Sequence, residues 1–269
     1  MIFNLSMPVL KAKGPTASLT AQNGVSYTNG LHGLEADVIS LFSSAISNNS
    51  DITNETSVVY LDNGDMHRKV SVGDKVTLSL NGTNYAFDVI GFNHDTLTDA
   101  AAYGEETATG KAGITFQMHD CFDTAYMMNR TNTNSGGWAS SAMRTSTMAT
   151  MKGYLPDDWE AIIKPVNKAF GNGGGSSSGT ETVSDSCFLL AEIEVFGSTK
   201  YSVSGEGTQY AYYKAGNSKV KNKSGSATSW WERSPYSGGF YDFCYVSSGG
   251  GAKHYIANYS DGVAFGFCV

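Results

Sequence analysis

The sequence is poor in charged residues. Lys, Arg, Asp and Glu make up 16% of its 269 residues, against about 25% in typical soluble domains. Gly, Ser, Thr and Asn take their place, which predicts many strands and turns and a neutral polar surface. The net charge is −7 and no basic stripe is present. Because phosphate contacts need clustered Lys and Arg, this balance argues against nucleic-acid binding.

The motifs of common enzyme and cofactor classes are also missing. The chain contains no HExxH, no phosphate-binding loop and no dinucleotide fingerprint. No group of clustered carboxylates calls for calcium. We therefore predict a protein without catalytic residues, cofactor or metal.

Long apolar runs are absent as well. None approaches the ~20 residues of a membrane span, so we predict no membrane insertion. The N-terminal residues MIFNLSMPVLKAKG lack a basic region before their apolar stretch, which Asn4, Ser6 and Pro8 interrupt. We expect a chain that is made and kept in a cytoplasm, or that leaves without a standard signal, as virion parts do on lysis.

The four cysteines are Cys121, Cys187, Cys244 and Cys268. None forms a CxxC pair, which argues against a zinc ribbon. Buried free thiols are one interpretation, and a Cys244–Cys268 bridge that closes the last loop is the other.

Residues 1–65 are predicted to form a small separate unit, with one larger domain over 66–269. Apolar residues at helical spacing predict an amphipathic helix over 32–47. Its apolar stripe packs either within this unit or on another subunit. A strand is predicted over Ser57–Leu61, followed by a turn over Asp62–Asp65.

A β-hairpin is the clearest local prediction. Apolar residues alternate over 76–80 and again over 85–89, and Asn81-Gly82 between them is a typical hairpin turn. A polar loop is expected over 96–112 and a strand over Ile114–Met118.

Two His-Asp pairs, His94-Asp95 and His119-Asp120, raise the question of a metal site. Neither has the HxH or HxxxH spacing that directs two ligands to one ion. The alternative is that each pair bonds to local backbone at a strand end.

The middle of the chain predicts two helices and a glycine-rich loop. Met143, Met148 and Met151 form a loose stripe across 139–152, with Arg144 as a structural ion-pair partner. A second helix is predicted to start near Leu155 and to present its apolar face as far as Val166. Residues 171–179, GNGGGSSSG, are predicted to be a surface loop within one domain.

The apolar run CFLLAEIEVF over 187–196 predicts a strand central to a sheet. Glu192 and Glu194 would then lie on one face, in a structural role or exposed to solvent. Paired carboxylates also serve glycoside hydrolysis, but that chemistry needs them across a cleft. Residues 206–214, EGTQYAYYK, predict a further strand.

The segment 236–262 has the most unusual composition. Its 27 residues contain five Tyr, six Gly and four Ser, a Tyr content about threefold that of the whole chain. Tyr offers a large amphipathic contact area at low entropic cost, and Ser and Gly adapt around it. This composition favours a recognition surface on a rigid domain, although such loops also occur as plain connections in β-rich domains.

Several stretches, taken in order, resemble an uncharacterised domain of gut Firmicutes and their phages over roughly residues 70–269. The stretches that carry the resemblance are Val72-Gly73-Asp74, Gly91–Asp95, Gly136–Arg144, Leu155-Pro156, Asp185–Leu190 with Glu194-Val195, Glu206-Gly207 with Gln209-Tyr210, and Trp230–Pro235. The family is similar to C-type-lectin-like folds, which implies an α+β domain of irregular antiparallel sheets, two flanking helices and a C-terminal ligand loop.

The resemblance implies a function on a phage particle. Some such domains are phage receptor-binding proteins whose C-terminal repeat is diversified by retroelements that randomise adenines. Adenine changes in AAC or AAT codons cannot produce Lys, Glu, Gln, Met or Trp. These types form roughly 15% of the chain, whereas in 236–262 only Lys253 belongs to them. The flanks Trp230–Pro235 and Val263–Val269 would be the fixed scaffold.

We therefore predict a virion protein on a tail or head fibre that binds a bacterial surface glycan or protein. Residues 1–65 would contact other virion proteins, and a homotrimer would supply avidity. The predicted ligand-binding residues are Tyr236, Phe240, Tyr241, Asp242, Phe243, Tyr245, Ser247, His254, Tyr255, Asn258, Tyr259 and Asp261.

Two other functions stand beside this one. The first is a structural decoration or fibre subunit whose Tyr-rich loop packs against a neighbour. The second is an enzyme, since lectin-like folds include formylglycine-forming oxidases that depend on reactive cysteines. Only Cys244 lies in the candidate surface, with no second cysteine close to it in sequence.

Overall fold

The computed structural model describes strand residues 18–20, 26–28 and 58–62, and then residues 67–103 and 110–269. The predicted helix over 32–47 and most of the predicted turn over 62–65 lie outside these residues.

Strands dominate the described residues, and all their strand pairings are antiparallel. The strands are β1 (Ser18–Thr20), β2 (Ser26–Thr28), β3 (Val58–Asp62), β4 (His67–Ser71), β5 (Lys75–Leu80), β6 (Thr83–Phe92), β7 (Ile114–Met118), β8 (Tyr126–Met127), β9 (Val166–Gly171), β10 (Thr180–Asp185), β11 (Cys187–Phe188), β12 (Lys221–Lys223), β13 (Ser226–Thr228), β14 (Trp230–Pro235), β15 (Asp242–Val246), β16 (Ala252–Ile256), β17 (Ser260–Asp261) and β18 (Gly266–Cys268).

The helices are short. They are α1 (Gly137–Ser140), α2 (Ala149–Lys152), α3 (Asp157–Ile162), α4 (Glu192–Phe196) and α5 (Ala211–Lys214), with a 3₁₀ turn over Ala101–Tyr103 and a π-helix over Met143–Met148. The fold is therefore mixed α+β, built mostly of antiparallel sheets with few helices.

A seven-stranded sheet in the order β11-β18-β7-β6-β5-β1-β2 is the centre of the molecule. The predicted hairpin is confirmed as β5 and β6, with Asn81 and Gly82 at positive φ in the turn. The predicted strand over Ile114–Met118 is confirmed as β7. At the other end of the sheet, β1 pairs with β5. The predicted domain boundary at residue 65 falls between β3 and β4, which form one hairpin.

Both faces of this sheet are covered, so β7 is buried along its whole length. On one face, Trp159 of α3 packs edge-on against Phe116 and Phe267, at ring-centroid distances of 5.7 and 6.0 Å. On the other face, Thr115 donates to Asp95 and Gln117 accepts from Tyr213 of α5. One face is therefore an aromatic core and the other a buried polar layer.

The two predicted helices are shorter than expected. Ser141 is extended and separates α1 from the helical turns that bury Met143, Met148 and Met151. The second helix ends at Ile162, because Ile163 is extended before Pro165. Val166 begins β9 instead of completing the helical face. Arg144 pairs with Asp185 at 2.7 Å, which confirms its structural role. Residues 172–179 connect β9 to β10, which confirms a loop within one domain.

Two predicted strands are wrong. The run over 187–196 is a strand only at Cys187–Phe188 and then becomes α4, because the carboxylate of Glu194 accepts from the N–H of Ala191 at 2.9 Å and Gly197 closes the helix at φ 72°. The run over 206–214 contains α5, preceded by an extended Tyr210 whose hydroxyl reaches Lys168 at 3.0 Å. In each case a cap or a tertiary bond overrides the apolar pattern.

A buried ionic chain joins the sheet to the C-terminal region. Arg233 binds Glu194 with both terminal nitrogens, at 2.5 and 2.9 Å. The Lys168 ammonium lies 2.9 Å from the same carboxylate and 2.7 Å from Asp95. Burial opposes ionisation of Asp95, but the nearby Lys168 outweighs it and holds the pKa of that carboxyl below its usual range. The four charges cancel, which satisfies the need for pairing in a dry interior.

Glu232 is not part of this buried ionic chain and, among the described residues, forms no hydrogen bond through its carboxyl group. It is fully buried. Burial, together with the neighbouring Glu192, Glu206 and Glu194, raises the pKa of Glu232 well above its usual range. The buried side chain therefore keeps its proton to a higher pH than an exposed carboxyl does.

The raised pKa of this side chain predicts a pH-dependent gain from Glu232→Gln. A carboxyl whose pKa is raised by folding contributes stability that is fully present below the unfolded pKa of ~4.3 and is lost as pH rises toward the folded value. Gln does not titrate, so the variant should gain on the wild type by about 1.4 kcal/mol per pH unit in that window. Urea unfolding of both proteins at pH 4, 6 and 8 measures the difference. A difference that is constant with pH would refute the raised pKa of Glu232.

Candidate functional site

The segment 236–262 lies between two wholly buried flanks. All residues of β14 are buried, as are residues 263–269. β14 pairs with β15, and β15 pairs with β16, which is the outer strand of this three-stranded sheet. The flanks thus hold the segment at both ends, as a scaffold holds a surface loop.

Exposed apolar side chains collect on this segment. Among the described residues, six large apolar side chains are 37% to 60% exposed: Met127, Val220, Phe240, Tyr241, Tyr255 and Tyr259. Four belong to the segment. Met127 pairs with Ser260 across β8 and β17, and Val220 lies 3.3 Å from the position that a Cβ on Gly250 would take. All six are therefore in or against one stretch of chain.

Part of this surface is a row of aromatic rings. The rings run outward from buried Trp231 to Tyr245 at 6.1 Å, to Tyr255 at 6.5 Å and to Tyr259 at 5.0 Å, each pair meeting edge to face. Edge-to-face contacts stabilise aromatic pairs. The buried end of the row anchors the exposed end, so the outer rings are held in place before any ligand arrives.

A second group of rings surrounds His254. Its ring stacks on Tyr236 at 3.9 Å with an angle of 10°, and Tyr201 lies 4.9 Å away. Its Nδ1 is 2.5 Å from a carboxylate oxygen of Asp242. Asp242 therefore orients the imidazole, and the group presents half-buried polar atoms. Tyr201 was not predicted, because nothing in its local sequence marks it.

Phe240 rests on the glycine-rich loop. A Cβ on Gly175 would come within 2.9 Å of the Phe240 ring, and Gly175 has φ +73°. Only glycine meets both demands without strain. The loop over 172–179 therefore supports the surface, a role that its flexible composition did not suggest.

Asn134 positions the start of the segment from outside it. This fully buried side chain donates through Nδ2 to the carbonyls of Tyr236, Gly239 and Asp242, at 2.9 to 3.2 Å. Its Oδ1 accepts from Gly174 at 2.8 Å. One amide thus ties the loop over 236–242 to the glycine-rich loop. Sequence reasoning missed it, because a lone Asn in a polar stretch has no distinguishing signal.

Two predicted ligand-binding residues are placed elsewhere. Phe243 is fully buried under the sheet, and Asp261 is buried with its carboxylate accepting from Ser229 at 2.7 Å. Neither side chain is available to a ligand on this surface, so both assignments are corrected. The other predicted residues are exposed or half-buried: Tyr236, Phe240, Tyr241, Asp242, Tyr245, Ser247, His254, Tyr255, Asn258 and Tyr259.

Side chains of both His-Asp pairs lie in long-range contacts. Donor atoms of His94, Asp95 and Glu194 lie within 4.8 Å of one another, as ligands of one ion would. Lys168 binds both of these carboxylates, so an ammonium already bridges them. At the other pair, His119 bonds to Asp88 at 2.8 Å and Asp120 to Asn222 at 2.7 Å.

The cysteines and the glutamate pair have structural surroundings. All four cysteines are free and buried, so the Cys244–Cys268 bridge is not formed. Burial raises the pKa of Cys244, which keeps its thiol protonated beneath the surface. Glu192 accepts from the N–H groups of Tyr201 and Ser202 at 2.8 to 3.2 Å, and Glu194 belongs to the ionic chain. Both carboxylates are buried, which confirms the structural interpretation.

The fold and this surface define an α+β domain whose C-terminal segment displays aromatic and hydrogen-bonding groups. The chain belongs to the family described as Domain of unknown function (DUF6273), which matches residues 112–269. No curated protein and no solved structure matches the chain. None of the described helices has the length and apolar content needed to cross a membrane.

The position of Asn134 predicts that Asn134→Ala releases the loop. The change removes the Asn134 amide from the carbonyls of Tyr236 and Gly239 and from the N–H of Gly174, whereas the carbonyl of Asp242 keeps the N–H of Tyr236. Each unsatisfied group costs about 1–3 kcal/mol. We expect stability to fall by at least that amount, and amide hydrogen exchange at 236–242 and 173–175 to accelerate more than elsewhere. Asn167→Ala is the matched control, because Asn167 is exposed and makes one side-chain bond of 3.3 Å. Equal exchange in wild type and Asn134→Ala would contradict the positioning role.

Proposed function

We propose that this protein is a non-enzymatic receptor-binding protein of a phage particle, displayed on a tail or head fibre. It recognises a bacterial surface glycan or protein through the surface of residues 236–262. One observation supports this proposal most strongly. All six exposed large apolar side chains among the described residues lie in this segment or against it. A clustered exposed apolar surface is typical of a contact with another molecule.

The chemistry of the surface supports binding without catalysis. Tyr241, Tyr255 and Tyr259 present ring faces and hydroxyl groups, which stack on sugar rings or fill protein pockets while fixing orientation. The pair of Asp242 and His254 supplies polar contacts beside them. The anchored rings lower the ordering cost of binding, since little side-chain freedom remains to be lost.

The C-type-lectin-like assignment of residues 66–269 is part of this proposal. In its support, antiparallel sheets dominate, short helical segments lie over 137–152 and 157–162, and the C-terminal strand β18 lies inside the main sheet. The segment that precedes this strand forms its own small sheet at the surface. Such an arrangement lets a loop vary while the core stays constant.

Diversification by a retroelement is the finer proposal for the same surface. It is supported by the contrast between the depleted residue types in 236–262 and the buried flanks. A diversified segment must tolerate change, and substitutions at exposed positions away from special features usually alter stability by only about 0.5 kcal/mol. The virion location, the contacts of residues 1–65 with other particle proteins and a homotrimer complete the proposal.

A structural decoration or fibre subunit is the competing function. The observation that favours it is that β16 is an outer strand, so its free edge and the exposed Tyr255 could pack against a neighbouring subunit. In that case the aromatic surface is buried in the assembled oligomer. Protection of 252–259 from hydrogen exchange in the purified oligomer, without any ligand, would favour this function.

The binding proposal predicts that a triple variant, Tyr241→Ser, Tyr255→Ser and Tyr259→Ser, loses attachment to cells. Truncating central aromatic contacts typically costs about 2 kcal/mol or more per residue, so we expect a loss greater than tenfold. The measurement is binding of labelled protein to a panel of gut Firmicutes cells. Tyr103→Ser serves as the control, since Tyr103 lies outside the segment. Undiminished binding by the triple variant to a cell that the wild type binds would refute this surface as the receptor site.

The diversification proposal predicts a genomic signature. A near-copy of the 3′ end of the coding region, differing only at adenines, should lie beside a reverse transcriptase gene. Sequencing the neighbourhood of the gene tests this. An isolated gene among capsid or tail genes would favour a fixed adhesin or structural subunit, and metabolic neighbours without phage genes would contradict the virion location.

A further inference from the structure

A concave site lies outside the segment 236–262. It is a pocket of about 250 Å³ between the start of β6, the stretch over 119–123 that follows β7, and the turn between β12 and β13. None of its lining residues belongs to the proposed receptor surface. A ligand of this pocket would be independent of the receptor-binding proposal.

Hydrogen bonds between the three walls hold the pocket open. His119 donates its backbone N–H to Ala86 at 2.8 Å, and Cys121 donates to the carbonyl of Asn222 at 2.8 Å. Asp120 accepts from both nitrogens of Asn222 through one oxygen, at 2.7 and 3.1 Å. The walls come from distant parts of the chain, and these bonds fix their separation. The pocket is therefore preformed.

One wall is an aromatic ring with a hydroxyl group. Tyr85 stacks on Phe122 at 5.2 Å and donates to Asp123 at 2.9 Å. Burial and the bond to Asp123 raise the pKa of Tyr85 to about 12, so the phenol stays neutral. A fixed ring beside hydrogen-bonding groups suits a ligand that has one apolar face and several polar edges.

The polar lining consists mainly of hydrogen-bond acceptors and neutral groups. Asp120 uses Oδ1 for both bonds to Asn222, and among the described residues its Oδ2 has no partner. Asp123 and Ser224 lie at the mouth of the pocket, 3.5 Å apart. A ligand that brings several O–H donors satisfies these acceptors.

The charges around the pocket select against ions. An anionic ligand would meet two carboxylates, and no Lys or Arg is among the described residues that line the pocket. The Lys75 ammonium lies behind the wall, 3.2 Å from Nε2 of the lining residue His119, and opposes a cationic ligand. Lys221 donates to the carbonyls of Met118 and His119, and burial lowers its pKa.

We infer that this pocket binds a neutral polyhydroxylated molecule of monosaccharide size, with its apolar face on Tyr85 and its hydroxyl groups on Asp120 and Asp123. Because the volume of about 250 Å³ is just below the range of drug-sized ligand pockets, which starts at about 300 Å³, one ring fills it. Affinity for a single ring should be in the millimolar range.

The test is heteronuclear NMR titration of the full chain with unmodified hexoses, N-acetylhexosamines and glycerol. We expect saturable shifts at 83–86, 119–123 and 222–225 for at least one ring compound. Asn84→Trp, which places a large side chain on an exposed lining position, and Asp123→Asn should each weaken that binding at least fivefold. Asp158→Asn, an exposed carboxyl in α3, is the matched control and should leave it unchanged.

Three outcomes would overturn the inference. They are the absence of saturable shifts at the pocket for every compound up to solubility, shifts confined to 236–262, and stronger binding of butylamine or methylguanidinium than of any polyol. The last outcome would assign a cation site to the same pocket. Amide spectra of both variants that match the wild type outside the pocket show that a lost response is not a loss of fold.

Discussion

The bidentate pair between Arg233 and Glu194 is the interaction on which the scaffold depends. Arg233 also donates to the carbonyls of Ala169, Leu189 and Glu206, so every nitrogen of its guanidinium has a partner. Glu194 passes the connection through Lys168 to Asp95, which bonds to Thr115 of the central sheet. Removing one member would leave a buried charge unpaired, which costs several kcal/mol. This buried ionic chain therefore fixes the positions of β14, β9, α4 and the central sheet relative to one another.

This constraint explains how an exposed and glycine-rich segment holds a defined shape. The ion pair of Arg233 with Glu194 holds β14 in place, and β18 lies between β7 and β11 and pairs with both. The residues of the segment 236–262 contribute little to the core, with Phe243, Cys244, Val246 and Ala257 as the buried apolar exceptions. Asn134 and the glycine-rich loop then fix the start of the segment. The segment is therefore stabilised by its buried flanks, by Asn134 and by the glycine-rich loop. Its exposed side chains contribute little to stability and are available for contact with a partner.

The segment 236–262 and the pocket would bind their partners through different interactions. The outer face of the segment consists of exposed aromatic groups, whose burial against a partner is favourable. The pocket is concave and polar, and its acceptors gain by receiving donors. Two such surfaces on one domain permit a large partner at the first and a small molecule at the second, without competition for the same atoms.

Local sequence patterns predicted the elements that depend only on residues close together in the sequence. The β5–β6 hairpin follows from alternation around Asn81-Gly82, and the exposure of Tyr241, Tyr255 and Tyr259 agrees with a composition unsuited to a core. The pattern failed over 187–196 and 206–214, where buried carboxylates and Tyr210 act through tertiary bonds. It also placed Phe243 and Asp261 on the surface, because composition does not say which side of a strand another element covers.

The sequence by itself determined the central hairpin, the strand β7 and the position of the Tyr-rich segment. These follow from periodicity of two residues, from turn chemistry and from composition, which are properties of neighbouring residues, whereas the α+β class was implied by the family resemblance. Only the tertiary structure decided that Glu194, Lys168 and Asp95 meet, that Asn134 holds the loop, and that three distant segments enclose a pocket. Those contacts join residues 26 to 108 positions apart, and their energy depends on burial and mutual geometry, which exist only once the chain has folded.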